Sequence, residues 1–254
     1  MLYGDMEMQK VSVITMTYND CTHLKQCAEQ ILKQNYDNLE YIIVDGGSTD
    51  GTKEYLEQLK AQHGEKVRYV SEPDEGLYDA LNKGIRMATG DIVGLMCDEF
   101  ANEHVVTDMV KVMQEQKADG IHGDLDYVQD GRTVRKWRMG NGTINAGWMP
   151  AHPTLYLKKE IYQNYGLYKT NYKIAADYEF IIRILKDGKT KLAYIPEVLV
   201  HMYHGETSAS TGGLSNYMDS FFEARRALCE NKMPHPTWTC IRRTFRVLAQ
   251  FTHR

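Results

Sequence analysis

No apolar run in the chain approaches the roughly 20 residues that cross a bilayer, which argues against a transmembrane segment. Met1 to Lys10 is polar and acidic and does not read as a secretory leader. The five cysteines (Cys21, Cys27, Cys97, Cys229 and Cys240) are odd in number and scattered, with no C-x-x-C pair. That excludes a disulfide framework and points to reduced thiols in a cytoplasmic setting. Basic residues are not in excess: the net charge is -4, so nothing in the balance indicates nucleic acid as a partner. The chain also lacks G-x-x-x-x-G-K-[ST], G-x-G-x-x-G and G-x-S-x-G, which argues against a P-loop, a dinucleotide site of Rossmann type and a hydrolase elbow. His152, His201 and His204 form no H-x-x-x-H pair on an evident helix. A zinc site is therefore not indicated, and a structural or substrate-bonding role suits them better.

What is present is an alternation of buried strands and helices. The 254 residues, 43% hydrophobic and 25% charged, suit one large α/β domain or one domain with an appendage. Val11 to Thr15, Glu40 to Val44, Val67 to Val70 and Asp91 to Met96 read as strands. Between them, Leu24, Cys27, Ala28 and Ile31 mark one helix, Tyr55, Leu56 and Leu59 a second, and the stretch from Gly76 to Ile85 a third. This order predicts a parallel sheet with right-handed crossovers. Short strands are expected at Gly120 to Asp126, Arg132 to Arg138, Leu155 to Lys158 and Ala193 to Ile195, with a helix after Asp177. They imply a mixed continuation of the sheet. Gly142 to Pro150 and His204 to Gly213 read as loops, and from Leu214 the chain turns helical, with Pro234 and Pro236 separating two pieces.

Two strands end in acids. Asp45 follows Tyr41-Ile42-Ile43-Val44 and precedes Gly46-Gly47-Ser48-Thr49-Asp50-Gly51; Cys97-Asp98-Glu99 follows the strand ending at Met96. In open α/β sheets ligands bind at this carboxyl edge. Asp45 can accept hydrogen bonds from a nucleoside, cap its own turn, or do both; Ser48 and Asp50 read as turn and cap residues. Asp98 and Glu99 side by side make sense if a divalent cation shares them; the plainer reading is a solvated acidic loop. Asp177, after Ala175-Ala176, is either a helix N-cap or a poised general base.

Taken in order, these motifs resemble family-2 inverting glycosyltransferases of the GT-A fold, over about residues 10–210. The resemblance is carried by Val11 to Asn19, Val44 to Thr52, Glu72 to Gly84, Gly90 to Glu99 and Ile174 to Phe180. The variant with Asp-Gly-Gly-Ser and Tyr-Asp-Ala-x-Asn-Lys-Gly is similar to transferases of bacterial polysaccharide gene sets, such as the colanic-acid type. The resemblance implies that Met16 and Thr17 line the base pocket and that Asp45 holds the nucleoside. It implies that Asp98 and Glu99 take the place of the metal motif, with Glu99 ligating Mn2+ or Mg2+ on the donor diphosphate. Asp177 falls where the catalytic base is kept, and His152 and His204 are candidates to contact the acceptor or the diphosphate. Three departures stand out. Gly46 replaces a second acid, Cys97-Asp98-Glu99 replaces the usual metal motif, and the Gln-x-x-Arg-Trp signature and membrane helices of processive synthases are absent.

The expected protein is an α/β enzyme of GT-A fold, with a mostly parallel Rossmann-like sheet, a mixed C-terminal half and a C-terminal helical appendage. Its expected organisation is an N-terminal extension (1–9), a transferase domain (10–213, with a nucleotide-binding half 10–100 and an acceptor half 101–213) and a basic helical tail (214–254). It would move a sugar, a hexose or N-acetylhexosamine, from a nucleotide-sugar, a UDP-sugar, to a polysaccharide or polyprenol-linked glycan acceptor. The alternatives are a sugar-phosphate nucleotidyltransferase and a non-catalytic nucleotide-sugar-binding scaffold. From Arg225 onward the only acid is Glu230 among several arginines, and Trp238, Ile241, Phe245 and Leu248 share one helical face. That tail either packs on the body or lies on an anionic membrane through residues 237–254, at the inner face of the bacterial inner membrane.

Overall fold

The structure is a computed structural model that describes residues 8–203 and 213–250. One nine-stranded sheet runs through it in the order β3-β2-β1-β4-β8-β6-β9-β5, with β7 on a free stretch of β6. β1 (Val11–Thr17), β2 (Leu39–Asp45), β3 (Val67–Ser71) and β4 (Ile92–Leu95) are mutually parallel. Their crossovers are α1 (Cys21–Leu32), α2 (Thr52–His63) and α3 (Leu77–Met87). The continuation is mixed, as expected. β8 (Tyr156–Lys158) is antiparallel to both β4 and β6 (Gly120–Gln129), β6 is parallel to β9 (Leu192–Tyr203), and β7 (Arg132–Trp137) is antiparallel to β6.

Successive side chains of a strand face opposite ways, so each buried strand feeds two cores. Val13, Tyr41 and Ile43 pack with α1, α2 and α4 (Val105–Gln116) on one face. Ile14, Ile42 and Val93 pack on the other with α3, α5 (Lys159–Tyr165) and α6 (Ala176–Leu185). Gly84 lets α3 lie close to the sheet: a Cβ there would meet Ile14 Cγ2 at 2.5 Å. The C-terminal helices α7 (Gly213–Glu230) and α8 (Pro236–Ala249) belong to the second core, to which they give Ala224, Ala227, Leu228 and Cys240.

Three elements differ from the sequence reading. The strand expected to run into Asp98-Glu99 stops at Leu95; Glu99 opens a separate two-residue strand, β5 (Glu99–Phe100), antiparallel to β9. β9 is far longer than Ala193 to Ile195 because Pro196 and Glu197 bulge out of register with β6 rather than ending the strand: Gly123 pairs with Ile195 and Asp124 with Val198. The N-cap of α6 is Ala175, so Asp177 sits inside the first turn and is not the cap.

At the edge opposite the strand carboxyl ends, Glu40 ties β1, β2 and the α3–β4 turn together. Its buried carboxylate accepts from Ser12 Oγ at 2.5 Å, Thr89 N at 2.5 Å and Gly90 N at 3.1 Å, and meets Lys10 Nζ at 3.0 Å. Burial alone would raise its pKa. The hydrogen bonds from Ser12, Thr89 and Lys10 outweigh burial and hold it at about 2. A carboxylate depressed in this way stabilises the fold above its unfolded pKa and loses that stability as pH falls through the folded value. We predict that urea unfolding shows wild type more stable than Glu40→Gln at pH 6. That margin, on the order of 3 kcal/mol for a shift of this size, should fade between pH 4.5 and 2. A margin independent of pH would contradict the assignment.

Candidate active site

The parallel strands deliver Met16, Thr17, Asp45 and the Met96–Asp98 segment to one sheet edge. Thr17 is in register with Asp45, and Met96 N donates to Ile14 O at 2.9 Å. Asp45 is 0% exposed. Its carboxylate takes Ser48 N at 3.2 Å, Ser71 Oγ at 2.6 Å and a short bond from Ser48 Oγ. The turn-holding role of Asp45 is thus explicit in the geometry, and Ser48 and Ser71 are the groups it orients. Asp50 accepts from Cys21 N at 2.9 Å and Thr52 Oγ1 at 2.6 Å, so one carboxylate serves the first turns of both α1 and α2. Gly46 leaves room that an acid occupies: a Cβ there would stand 2.7 Å from Asp74 Oδ2. Asp74 arrives from the loop after β3 and also accepts Gly76 N at 2.8 Å.

Asp98 and Glu99 line a cavity of about 450 Å3 with His23, Gln26, Gln30 and Tyr203. Asp98 Oδ1 accepts Tyr203 N at 3.2 Å and Glu99 Oε2 accepts the Tyr203 hydroxyl. Burial pushes the Asp98 carboxyl above its usual range, against the backbone bond from Tyr203 and the charge of His23. Glu99 in turn drives the Tyr203 phenol up to about 12. Among the described residues neither acid forms an ion pair with Lys or Arg, and no group of three or more His, Cys, Asp or Glu is placed to hold a metal ion. His204 lies outside the described residues.

Asp177 enters from the other half, in the first turn of α6. Its Oδ1 accepts Tyr178 N at 2.7 Å and lies 3.4 Å from the Tyr78 hydroxyl, which donates to Ile174 O at 2.6 Å. Oδ2 takes no hydrogen bond among the described residues. Burial, then the charge of Asp177, raises the Tyr78 pKa. Tyr78 stacks on Tyr168 with ring centroids 6.0 Å apart, and the Tyr168 hydroxyl is 2.8 Å from His152 Nε2. Asn82 fixes Tyr168 through two backbone bonds of 2.8 and 3.0 Å. Burial lowers the pKa of His152 and so favours the neutral ring, against the Asp177 charge, which favours the protonated one. Asp177 and His152 therefore share one cluster, and α3, which begins beyond β3, joins it to the carboxyl edge.

Tyr78, Asn82 and Tyr168 were missed from sequence, although the first two sit in the Tyr78-to-Gly84 motif; their spacing of four is a helical-face signal. Glu223 carried no signal at all. From α7 it accepts Lys173 N, Ile174 N and Ala175 N, each at 2.9 Å, and so caps the segment that leads into α6. Glu179, 0% exposed, secures the same helix through Arg183 at 2.9 Å, Lys169 at 2.9 Å and Asn231 at 3.1 Å.

A sheet that is parallel through β3-β2-β1-β4 and mixed beyond β4 is the architecture of the GT-A fold. Residues 12–173 match the Glycosyl transferase family 2 profile, and the chain belongs to that family. It is 27% identical over 213 residues to the PGL/p-HBAD biosynthesis glycosyltransferase of Mycobacterium bovis, which covers 81% of this chain and 78% of the relative. The fold is similar to that of S. aureus TarS 1–349 in complex with UDP-GlcNAc (TM-score 0.75, 18% identity, 94% of this chain and 73% of that one). It is also similar to the mannosyltransferase PcManGT from Pyrobaculum calidifontis in complex with GDP-Man and Mn2+ (TM-score 0.67, 19% identity, 98% and 77%). Membership decides for a transferase over a nucleotidyltransferase or a non-catalytic scaffold.

Because Glu223 sets the entry to α6, Glu223→Ala should lower kcat roughly tenfold to a hundredfold, the scale of a small misplacement of a reacting group. UDP affinity and helical content should stay unchanged. Glu223→Gln, which still accepts through its amide oxygen, should retain more activity. A kcat untouched by Glu223→Ala would remove the positioning role.

Proposed function

We propose that the protein transfers a sugar from a UDP-sugar to a hydroxyl of a polysaccharide or lipid-linked oligosaccharide, inverting the anomeric carbon, with Mn2+ or Mg2+ at Asp98–Glu99. The observation that carries this reading is the open Oδ2 of Asp177, held at the start of α6 in the cluster that α3 joins to the sheet edge. Residues 10–100 would hold the donor and 101–213 the acceptor. Met16 and Thr17 border the base, while Asp45, through Ser48 and Ser71, shapes the nucleoside pocket. Asp177 Oδ2 takes the proton of the acceptor hydroxyl as that oxygen bonds to the anomeric carbon and the bond from that carbon to the diphosphate oxygen breaks. One displacement from the opposite face inverts the centre. His152, neutral and tied to Tyr168, borders the acceptor.

Asp98 and Glu99, two carboxylates at one cavity that among the described residues pair with no Lys or Arg, would hold a hard divalent ion that takes its remaining ligands from diphosphate and water. When bound, the ion would stabilise the charge developing on the leaving diphosphate. TarS was solved with UDP-GlcNAc and PcManGT with GDP-Man and Mn2+, so both bases belong in the test. Calorimetric titration should show UDP binding stronger than GDP, dependent on Mn2+, and weakened tenfold or more in Glu99→Ala. Asp177→Asn should lose on the order of 10²–10⁴ in kcat with UDP affinity intact. Metal-independent UDP binding, or full turnover by Asp177→Asn, would remove the respective role.

The tail supports peripheral attachment to an anionic leaflet. On α8, Trp238 is 56% and Phe245 66% exposed, beside Arg242 and Arg246; on α7, Met218 and Phe222 are exposed too. Among the described residues no helix is long and apolar enough to cross a membrane. An aromatic and basic helical face suits the interface of an anionic membrane. Co-sedimentation with phosphatidylglycerol vesicles should fall severalfold in the Trp238→Ala/Phe245→Ala double variant. Unchanged sedimentation would defeat the idea.

A further inference from the structure

A second cavity, about 410 Å3, opens between α8, β7 and the Gly142–Pro150 loop, well separated in sequence from the donor-edge motifs. Its volume is that of a small-molecule site. The loop does not stand free. Ile144–Ala146 forms a short 3-10 turn, and Trp148 is buried with its indole N–H donating to Met139 O at 3.1 Å. Gly147, at φ +73, brings the loop so close to α8 that a Cβ would run into the backbone of Arg243. One wall is apolar: Trp137, Trp148 and Met149. The other is cationic: Lys136, Arg243 and Arg246. No acidic residue lines the cavity.

Arg138 also lines the cavity, but its charge is already met by Asp126 at 2.6 Å and Asp124 at 3.6 Å. Among the described residues Lys136, Arg243 and Arg246 form no ion pair. Arg246 Nε donates to Ala146 O at 3.0 Å, which ties this guanidinium to the loop at the cavity wall. Arg243 lies over the Tyr178 ring, 5.0 Å from its centroid. Arg243 and Arg246 are one turn apart on α8, so like charges face one another unless an anion sits between them. Tyr178 directly follows Asp177, which sets this cavity against the helix that carries the proposed base.

We propose that this cavity binds an amphiphilic phosphate: a phosphate or diphosphate met by Arg243, Arg246 and Lys136, with the attached hydrocarbon against Trp137, Trp148 and Met149. It is the subsite for the anionic, lipid-bearing end of the acceptor, a step that rests on the transferase reading above. Guanidinium groups supply paired N–H donors to phosphate oxygens, and indole and thioether walls suit an isoprenoid or alkyl chain.

Farnesyl diphosphate is a direct probe, read by quenching of tryptophan fluorescence, with inorganic diphosphate and farnesol as the two half-ligands. UDP titration of the same samples, with Mn2+, reports the donor site separately. We expect saturable quenching by farnesyl diphosphate, at least tenfold tighter than by either half-ligand. The Arg243→Gln/Arg246→Gln variant should weaken it tenfold or more with UDP binding unchanged. Lys136→Gln, on an exposed strand, provides a second variant with the same expected direction should the double variant fold poorly. Equal affinity for inorganic diphosphate would make this a bare anion site and overturn the proposal. So would farnesyl diphosphate binding indifferent to the substitutions, or its absence while UDP still binds. Loss of UDP binding in wild type would strike the donor reading instead and leave the cavity result to stand by itself.

Discussion

The carboxylate of Glu223 accepting three consecutive backbone N–H groups is the interaction on which the start of α6 depends. Residues 173–175 must leave the loop and enter α6 with their donors satisfied, because a helix start carries N–H groups without intrahelical partners. The local side chains, Lys173, Ile174 and Ala175, accept nothing. Glu223 serves all three, and its pKa falls below the usual range, with the backbone bonds overcoming its partial burial. Charge-assisted bonds of this kind are stronger than neutral ones. Just beyond the C-terminal end of α7, Asn231 reaches Glu179, whose buried charge is balanced by Arg183 and Lys169. Asp177 therefore stands on a helix gripped at two points from α7 and the turn after it.

That arrangement explains what could and could not be read in the sequence. β1, β2 and β4 are buried runs dominated by apolar residues, β2 ending in Asp45, and runs buried on both faces announce themselves without long-range knowledge. The parallel half of the sheet was legible for that reason. A role for Asp177 beyond the helix start was expected only through resemblance, since a carboxylate directly after small side chains looks locally like a cap. The true cap comes from a different helix and had no local trace. β9 was hidden by Pro196 and Glu197, which normally end a strand but here form a bulge. The Tyr78, Tyr168 and His152 cluster was hidden because its members sit on three separate elements. Asn82, bridging α3 to the backbone of Tyr168, helps to bring them together.

At the donor edge the chain departs from its relatives and compensates in space. Gly46 has no side chain, yet Asp74 places a carboxylate where a side chain at residue 46 would begin. The loop after β3 is held by Lys83, which donates to Pro73 O at 2.8 Å and pairs with Glu72 at 3.0 Å and Asp79 at 3.5 Å. The Asp79-to-Gly84 motif thus does three jobs with adjacent residues. Lys83 anchors the loop that brings in Asp74, Asn82 anchors Tyr168, and Gly84 lets α3 approach the sheet. A motif that looks like a single fingerprint is a set of separate mechanical solutions, which is why its loss at one position can be met by a residue elsewhere.

The orientation of α8 follows from the same logic of space. Trp238, Ile241 and Phe245 form the obvious apolar stripe, and amphipathic helices ordinarily bury such a stripe. Here the inward positions are Thr239 and Cys240, both 2% exposed. Small residues let the helix backbone come up against Gly147, whose missing Cβ removes the remaining obstacle. Large aromatics in that gap would force α8 away from the Gly142–Pro150 loop and open the wall that carries Trp148. Close docking thus requires the small face inward and leaves the aromatic stripe outside, next to Arg242. One helix consequently walls a cationic cavity with Arg243 and Arg246 on one side while presenting an aromatic face with Arg242 on the other, and neither feature could be kept if the helix were rotated to bury its hydrophobic stripe.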